Sequence, residues 1–156
     1  MRLFIKILVI IVIVTFIILQ FFQPEKNIST DTNGHIFNQE QIPENVKTIF
    51  KNACMDCHSN NTNYLWYHKV VPVAWMVNQH IVDGKDELNF SEWGEMDGYD
   101  KIVAIEDIRQ EIERKTMPLK SYTLMHWDAK LSDEERAAVF AWLDKKGDEL
   151  VNAQTE

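Results

Sequence analysis

The chain has 156 residues, a length that fits one domain, and its 24 acidic and 16 basic residues give a net charge of −8. All 24 acidic residues lie after residue 22, whereas the basic residues Arg2 and Lys6 lie before it, so the remaining sequence carries a net charge of −10. This acidity argues against nucleic acid as a partner, because the basic footprint of nucleic-acid-binding proteins is missing.

The first 22 residues differ from the rest of the chain. Residues 3–22, LFIKILVIIVIVTFIILQFF, are apolar except for Lys6, Thr15 and Gln20. As a helix, they are long enough to cross the roughly 30 Å hydrocarbon core of a bilayer. A cleaved signal peptide is the alternative, but its apolar region is shorter and ends at small residues that LQFFQPEKN lacks. We therefore predict that residues 1–22 form an uncleaved single-pass anchor.

The basic residues at the amino end predict the orientation of this anchor. Positive charge stays on the cytoplasmic side, so the rest of the chain is expected on the periplasmic, or outer, side of the cytoplasmic (inner) membrane. Residues 23–42 are polar, contain a proline and a glycine, and predict a linker. The remaining residues, 43–156, are expected to form the domain.

The pattern of apolar residues in the domain predicts an all-α fold with long loops. A capping box of Ser132 and Glu135 indicates where the last helix begins, and Gly84 is expected to end the second one. We find no convincing strand and no internal repeat. The predicted helices cover residues 43–58, 72–84, 100–115 and the chain after Ser132.

The two cysteines lie in the stretch CMDCHSN, residues 54–60, where Cys54, Cys57 and His58 form a C-x-x-C-H motif. A zinc site would need four ligands, and no second cysteine pair exists. A thioredoxin-like dithiol centre belongs beside a βαβ pattern, which is missing. C-x-x-C-H is the attachment sequence of haem c, in which two thioethers hold the porphyrin and the histidine binds iron. We predict one covalent haem c, with His58 as the proximal ligand.

Several methionines and histidines could bind the iron opposite His58. Met117 is favoured because it precedes Pro118 in a loop after a long helix. His80 is the alternative, and His126 and Met125 are runners-up; His35 and His68 are expected to be exposed. The full set of candidates is Met76, Met96, Met117, Met125, His35, His68, His80 and His126.

Two resemblances extend this prediction. The helix that ends in CMDCH, together with MPL and LSDEERAAVFAWL, resembles class I cytochromes c. Nearly the whole domain resembles the bacterial haem-binding domain family of Bacteroidetes-type genomes, on CMDCHSNNTNYLWY, PVAW, HIVDGKDELNFSEW and MPLKSY. The family often has proline where this chain has Leu65. The resemblance implies a cytochrome c-like domain in an exported protein with one haem, and it implies no defined substrate.

The resemblance to class I cytochromes also implies that a proline carbonyl accepts the second ring N–H of the proximal histidine, a role for which Pro72 is the candidate. Aromatic residues are expected to pack on the haem and in the core, since the domain has few aliphatic residues. These are Trp66, Tyr67, Trp75, Trp93, Tyr122 and Trp127.

Three functions fit these expectations. The leading one is a membrane-anchored cytochrome with one haem that carries single electrons between redox partner proteins, and is not itself an enzyme. A thioether ligand such as Met117 closes the iron to substrates and raises its potential. The alternatives are a haem-based redox or gas sensor and a small haem peroxidase, for which His80 or His126 would serve as the base.

Overall fold

The computed structural model describes residues 1–155, and this part of the chain is helical without strands. The all-α prediction is therefore confirmed. Three short 3₁₀ turns interrupt the loops, at Trp66–Lys69, Trp93–Glu95 and Trp127–Ala129. The α-helices are α1 (Arg2–Leu19), α2 (Ile36–Gln39), α3 (Glu44–Ala53), α4 (Met55–His58), α5 (Val73–Glu87), α6 (Gly98–Glu113), α7 (Lys120–Thr123) and α8 (Asp133–Thr155).

Helix α1 is the apolar amino-terminal segment. It is long and apolar enough to cross a membrane, with a mean hydropathy of 2.9 over 18 residues, and none of it is buried against the domain. The residues that follow it nevertheless bond to the domain. The Gln20 side chain exchanges two hydrogen bonds with the backbone of Val71, at 3.0 and 3.1 Å, and Gln23 Nε2 donates to the Lys69 carbonyl at 3.1 Å. The end of α1 is thus joined to the loop that precedes α5.

The segment predicted as a linker is not free along its length. Asn27 Nδ2 donates to the Ser59 carbonyl at 2.7 Å and to Thr62 Oγ1 at 2.9 Å. Further on, Ile36 and Ile42 are buried in the core. Residues 36–42 therefore pack with the domain, because their two isoleucines supply apolar surface that the polar composition of the segment concealed.

Helices α3, α6 and α8 enclose the main core. Phe50 of α3 is fully buried and meets the Trp142 ring edge-on at 5.6 Å and the Phe90 ring at 5.5 Å. Isoleucines at helical spacing on α6 complete the interior. This core lies on one side of α3, so the cysteine motif follows a helix that is packed against the core through Val46, Ile49 and Phe50.

Two predicted helix boundaries are corrected by the structure. Helix α3 ends at Ala53, and a short α4 follows after Cys54, so the expected continuous helix is broken inside the motif. Helix α5 continues past Gly84 to Glu87. Gly84 sits inside the helix with its carbonyl accepting from the Leu88 amide at 3.0 Å, and it has no positive φ. The glycine is needed for close packing, described below, and not for ending the helix.

Candidate haem site

The cysteine motif forms one tight turn. The Cys57 and His58 amides donate to the Cys54 carbonyl at 3.2 and 3.0 Å, so the three side chains at i, i+3 and i+4 share one face. All three line a single cavity. Met55, inside the motif, is buried in the core on the other side. The turn therefore presents both thiols and the imidazole together.

The cavity has a volume of about 860 Å³. Ligand pockets commonly measure about 300–1,000 Å³, so this one suits a large ligand. Its lining is mostly apolar, and it is formed by α4, α5, α6 and residues 117–125. The free thiols, the imidazole and the apolar walls are the groups that a covalently held haem requires, so the residues present fit that group.

The electrostatics of the thiols bear on the two competing interpretations of the motif. Burial raises the pKa of Cys54 to about 12, with a smaller contribution from Cys57, and burial followed by the charge of Asp56 raises the pKa of Cys57 to about 11. Reactive dithiols and zinc ligands depend on thiolates, which form where the pKa is lowered. Among residues 1–155, moreover, no group of three or more His, Cys, Asp or Glu side chains could hold a metal ion.

His58 is oriented by the backbone. Its Nδ1 lies 3.0 Å from the Leu88 carbonyl, just after α5, which makes Nδ1 the protonated nitrogen and leaves Nε2 available to bind a metal. Burial lowers the pKa of His58, which keeps the ring neutral as iron ligation requires. The expectation for Pro72 was wrong: its carbonyl accepts from the Trp75 and Met76 amides at the start of α5. Sequence spacing could not show that Leu88 lies beside the motif in the folded chain.

Gly84 lets α5 approach the motif. A Cβ built at this position would lie 2.9 Å from the Cys57 carbonyl oxygen and 3.2 Å from its Cβ. Any side chain would push the helix away from Cys57. Helix α5 thus packs directly on the attachment turn, and the residue that follows it bonds to His58.

The structure divides the candidates for the sixth ligand. Those that line the cavity are Met76, His80, Met117, Met125 and His68. Three others do not line it. His35 accepts a hydrogen bond at the start of α2, Met96 packs against the core, and the His126 ring stacks on Tyr122 at 3.8 Å.

Two histidines differ from expectation in their exposure. His68 is buried, because its Nδ1 accepts from the Leu65 amide at 3.0 Å and its ring packs on Tyr67 at 4.2 Å. His35 is half-buried beside Phe37. Both had been expected to be exposed, since a polar neighbourhood in the sequence does not reveal which loops fold back on the domain.

Comparison with known proteins agrees with this site. The haem-binding domain family matches residues 14–145. The chain belongs to this family. It is also 28% identical to the cytochrome c peroxidase Ccp of Escherichia coli (strain K12) over an alignment of 111 positions, which covers 67% of this chain and 24% of that protein. The chain thus spans about a quarter of that relative's length. No solved structure matches it.

A polar network adjoins the cavity of this haem-binding domain. Tyr122 donates to Asp56 Oδ2 at 2.8 Å, and burial together with the Asp56 charge raises the pKa of Tyr122. The Tyr67 hydroxyl lies 3.3 Å from the His126 ring nitrogens. Sequence analysis missed Asp56, although it lies inside the C-x-x-C-H motif, because nothing in the local pattern indicated that residues 122–126 return to it.

The aromatic residues of the domain separate into three groups. Tyr67 and Tyr122 line the cavity, as expected for residues that pack on a haem, and Trp93 is fully buried in the core. Trp66, Trp75 and Trp127 are exposed, so their predicted role in the core was wrong. Trp142, which was not singled out, is the tryptophan that packs on Phe50.

Proposed function

We propose that this haem-binding protein is a membrane-anchored c-type cytochrome that carries single electrons between redox partner proteins on the periplasmic side. The observation that carries the proposal is the placement of Cys54, Cys57 and His58 on one turn, in the wall of a mostly apolar cavity of about 860 Å³. When bound, haem supplies a one-electron couple that no amino-acid side chain offers.

The side chains have separate tasks in this proposal. Cys54 and Cys57 would hold the haem through thioether bonds, and His58 would bind iron through Nε2. The Leu88 carbonyl fixes the His58 ring and makes it a stronger base. The apolar walls exclude water and thereby favour the less charged, reduced state of the haem.

The position of α5 supports Met117 over His80 as the sixth ligand. His80 precedes Gly84 by four residues, so both lie on the α5 face that packs against Cys57. His80 is therefore close to the attachment turn, on the same wall as Cys57, whereas a sixth ligand would be supplied by a different wall of the cavity. Met117 belongs to another wall: it follows α6, and its amide donates to the Glu111 carbonyl at 3.2 Å.

Covalent attachment is tested by extraction. The full-length protein, made with cytochrome c maturation factors, should keep its pigment after denaturation and acid–acetone treatment. Cys54→Ser combined with Cys57→Ser should lose it. Loss of pigment from the unaltered protein would show that the haem is not covalently bound.

The sixth ligand is tested by carbon monoxide binding. Met117→Ala should bind carbon monoxide readily in the reduced state, whereas Met125→Ala, a matched change in the same cavity wall, should not. The unaltered oxidised protein should show the weak far-red band of a sulfur–iron bond. If that band is absent and His80→Ala is the change that admits carbon monoxide, the ligands are His58 and His80 instead.

A peroxidase is the second candidate, and the similarity to a cytochrome c peroxidase favours it. The aligned part covers only 24% of that relative, so its activity does not transfer by similarity alone. The two candidates differ in one measurement. If the protein is an electron carrier, the unaltered protein should oxidise a reduced small cytochrome with hydrogen peroxide no faster than Met117→Ala does. If it is a peroxidase, the unaltered protein should turn over many times in the same assay.

A further inference from the structure

Three of the five tryptophans lie on the surface. Trp66 is 72% exposed, Trp127 is 82% exposed and Trp75 is 41% exposed. Leu124, beside Trp127 in the sequence, is 72% exposed. None of these four residues lines the cavity, so a haem bound there would leave them uncovered. We call them, together with Phe22, the aromatic face.

Hydrogen bonds connect this aromatic face to the anchor. Trp75 Nε1 donates to the Phe22 carbonyl at 2.7 Å, three residues after the end of α1. Trp66 lies in the 3₁₀ turn whose last residue, Lys69, accepts from Gln23. The loop that carries Trp127 joins the same region through His126, whose ring stacks on that of His68 at 6.1 Å. Trp75 therefore bonds directly to the residues that follow α1, and the segments that carry Trp66 and Trp127 connect to the same region.

Acidic and basic residues are unevenly distributed around the aromatic face. Residues 57–82 and residues 114–127 contain no acidic residue, although the whole chain has 24. These two stretches carry the four domain residues of the aromatic face, and they also carry exposed basic residues. Lys69 lies in the first stretch, and Arg114, Lys115 and Lys120 lie in the second. Fourteen of the 24 acidic residues lie instead on α5 beyond residue 82, α6 and α8, while Glu25 and Asp128 lie beside the aromatic face in the sequence.

From these observations we infer that the aromatic face lies in the headgroup layer of the membrane that α1 spans. Tryptophan is enriched at this depth, because its ring is apolar and its N–H is polar. Lysine and arginine near the surface add attraction to anionic lipids, and acidic residues there would be repelled. The domain is then held in one orientation, with the acidic faces of α6 and α8 turned away from the membrane. This inference rests on the membrane anchor of the proposed function.

Quenching by brominated lipid tests the inference on the full-length protein with haem. Its tryptophan emission is compared in vesicles of plain phosphatidylcholine and in vesicles brominated near the headgroup end of the acyl chain. Energy transfer to haem is equal in the two vesicles, so a difference in emission between them reports the bromine alone. The quenched fraction should fall by at least about half in Trp66→Phe combined with Trp127→Phe, because these indoles would lie at the depth of the bromine atoms.

The matched control places an indole on the opposite side. Tyr99 is 70% exposed at the start of α6, beside Asp97 and Asp100. Tyr99→Trp in the double-variant background should add emission that brominated lipid does not quench. Quenching of this indole to the same extent as Trp66 and Trp127 would show that the domain has no fixed orientation, and would overturn the inference.

Two further outcomes separate this inference from the proposed anchor. Equal emission in plain and brominated vesicles, from protein that stays in the membrane after carbonate treatment, would keep the anchor and overturn the membrane contact; the aromatic face would then suit a partner protein. Release of the protein by carbonate would overturn both. Anionic phosphatidylglycerol should raise the quenched fraction of the unaltered protein, and Lys69→Gln with Lys120→Gln should abolish that rise.

Discussion

Gly84 is the single residue on which the close approach of α5 to the cysteine motif depends. In Gly84→Ala the new Cβ would lie 2.9 Å from the Cys57 carbonyl, so backbone must move. We expect the free energy of unfolding to fall by about 1–3 kcal/mol, as overpacking typically causes. Chemical denaturation of the detergent-solubilised protein measures it.

Gly147 provides the matched control for this change. It lies inside α8, and a Cβ there would meet only Ile105 Cγ2 at 3.7 Å, an ordinary contact. Gly147→Ala should therefore stabilise the protein by about 0.5–1 kcal/mol, the usual gain for alanine in a helix. Equal effects of the two substitutions would contradict the account of Gly84.

His68 should make the protein less stable in acid. Burial lowers the pKa of His68, and the nearby His126 lowers it further. Protonation of Nδ1 would also break its hydrogen bond from the Leu65 amide. Because the unfolded chain binds the proton more readily, stability from this residue is present above the unfolded pKa and is lost as pH falls below about 6.5.

The measurement is the free energy of unfolding between about pH 7.5 and 5.5 in the unaltered protein and in His68→Asn. Asparagine keeps an acceptor for the Leu65 amide and does not titrate. The decrease on acidification should be smaller in the variant. Part of the decrease should persist, because burial also lowers the pKa of His35. Identical pH profiles would refute the assignment to His68.

Among the helices, α8 has the clearest local determinant. The Ser132 amide donates to Glu135 Oε2 at 2.8 Å, and the Glu135 amide donates to Ser132 Oγ at 3.1 Å, so the predicted capping box is confirmed. Ser132→Ala should lower the free energy of unfolding by about 1 kcal/mol. Ser132→Thr, which keeps the hydroxyl, should recover most of it. The cap would be dispensable if both variants denatured at the same midpoint.

Helix α5 shows where a local rule fails at the scale of an element. Glycine often ends a helix because it adopts a positive φ, and Gly84 was expected to do so. Its actual role is steric, and the helix continues until Leu88 turns its carbonyl toward His58. The pattern of α5 residues alone cannot show that another segment approaches so closely.

In the whole molecule, Asn27 connects the segment that follows α1 to the cysteine motif. Its side chain donates to Ser59 and Thr62 and accepts from Lys85 Nζ at 3.0 Å. Asn27→Ala would leave partly buried polar atoms unpaired, so we expect a loss of about 1–3 kcal/mol in the free energy of unfolding.

Limited proteolysis gives a second measurement for Asn27→Ala, because cleavage within residues 23–35 should become faster when the segment is released from the domain. The control is Asn63→Ala at an exposed position, which should change stability by less than about 0.5 kcal/mol. If the two variants were cleaved at the same rate, Asn27 would not hold this segment.

The sequence by itself determined the features that depend on neighbouring residues. The apolar run of α1, the helical periodicity of α6, the capping box of α8 and the C-x-x-C-H spacing each follow from contacts within a few positions. Only the tertiary structure decided the features that join distant segments. Leu88 rather than Pro72 bonds to His58, Ile36 and Ile42 enter the core, and an exposed tryptophan bonds to the segment that follows α1. The physical reason is that hydrogen bonding and burial between segments depend on how the chain packs, and this packing cannot be predicted from local sequence patterns.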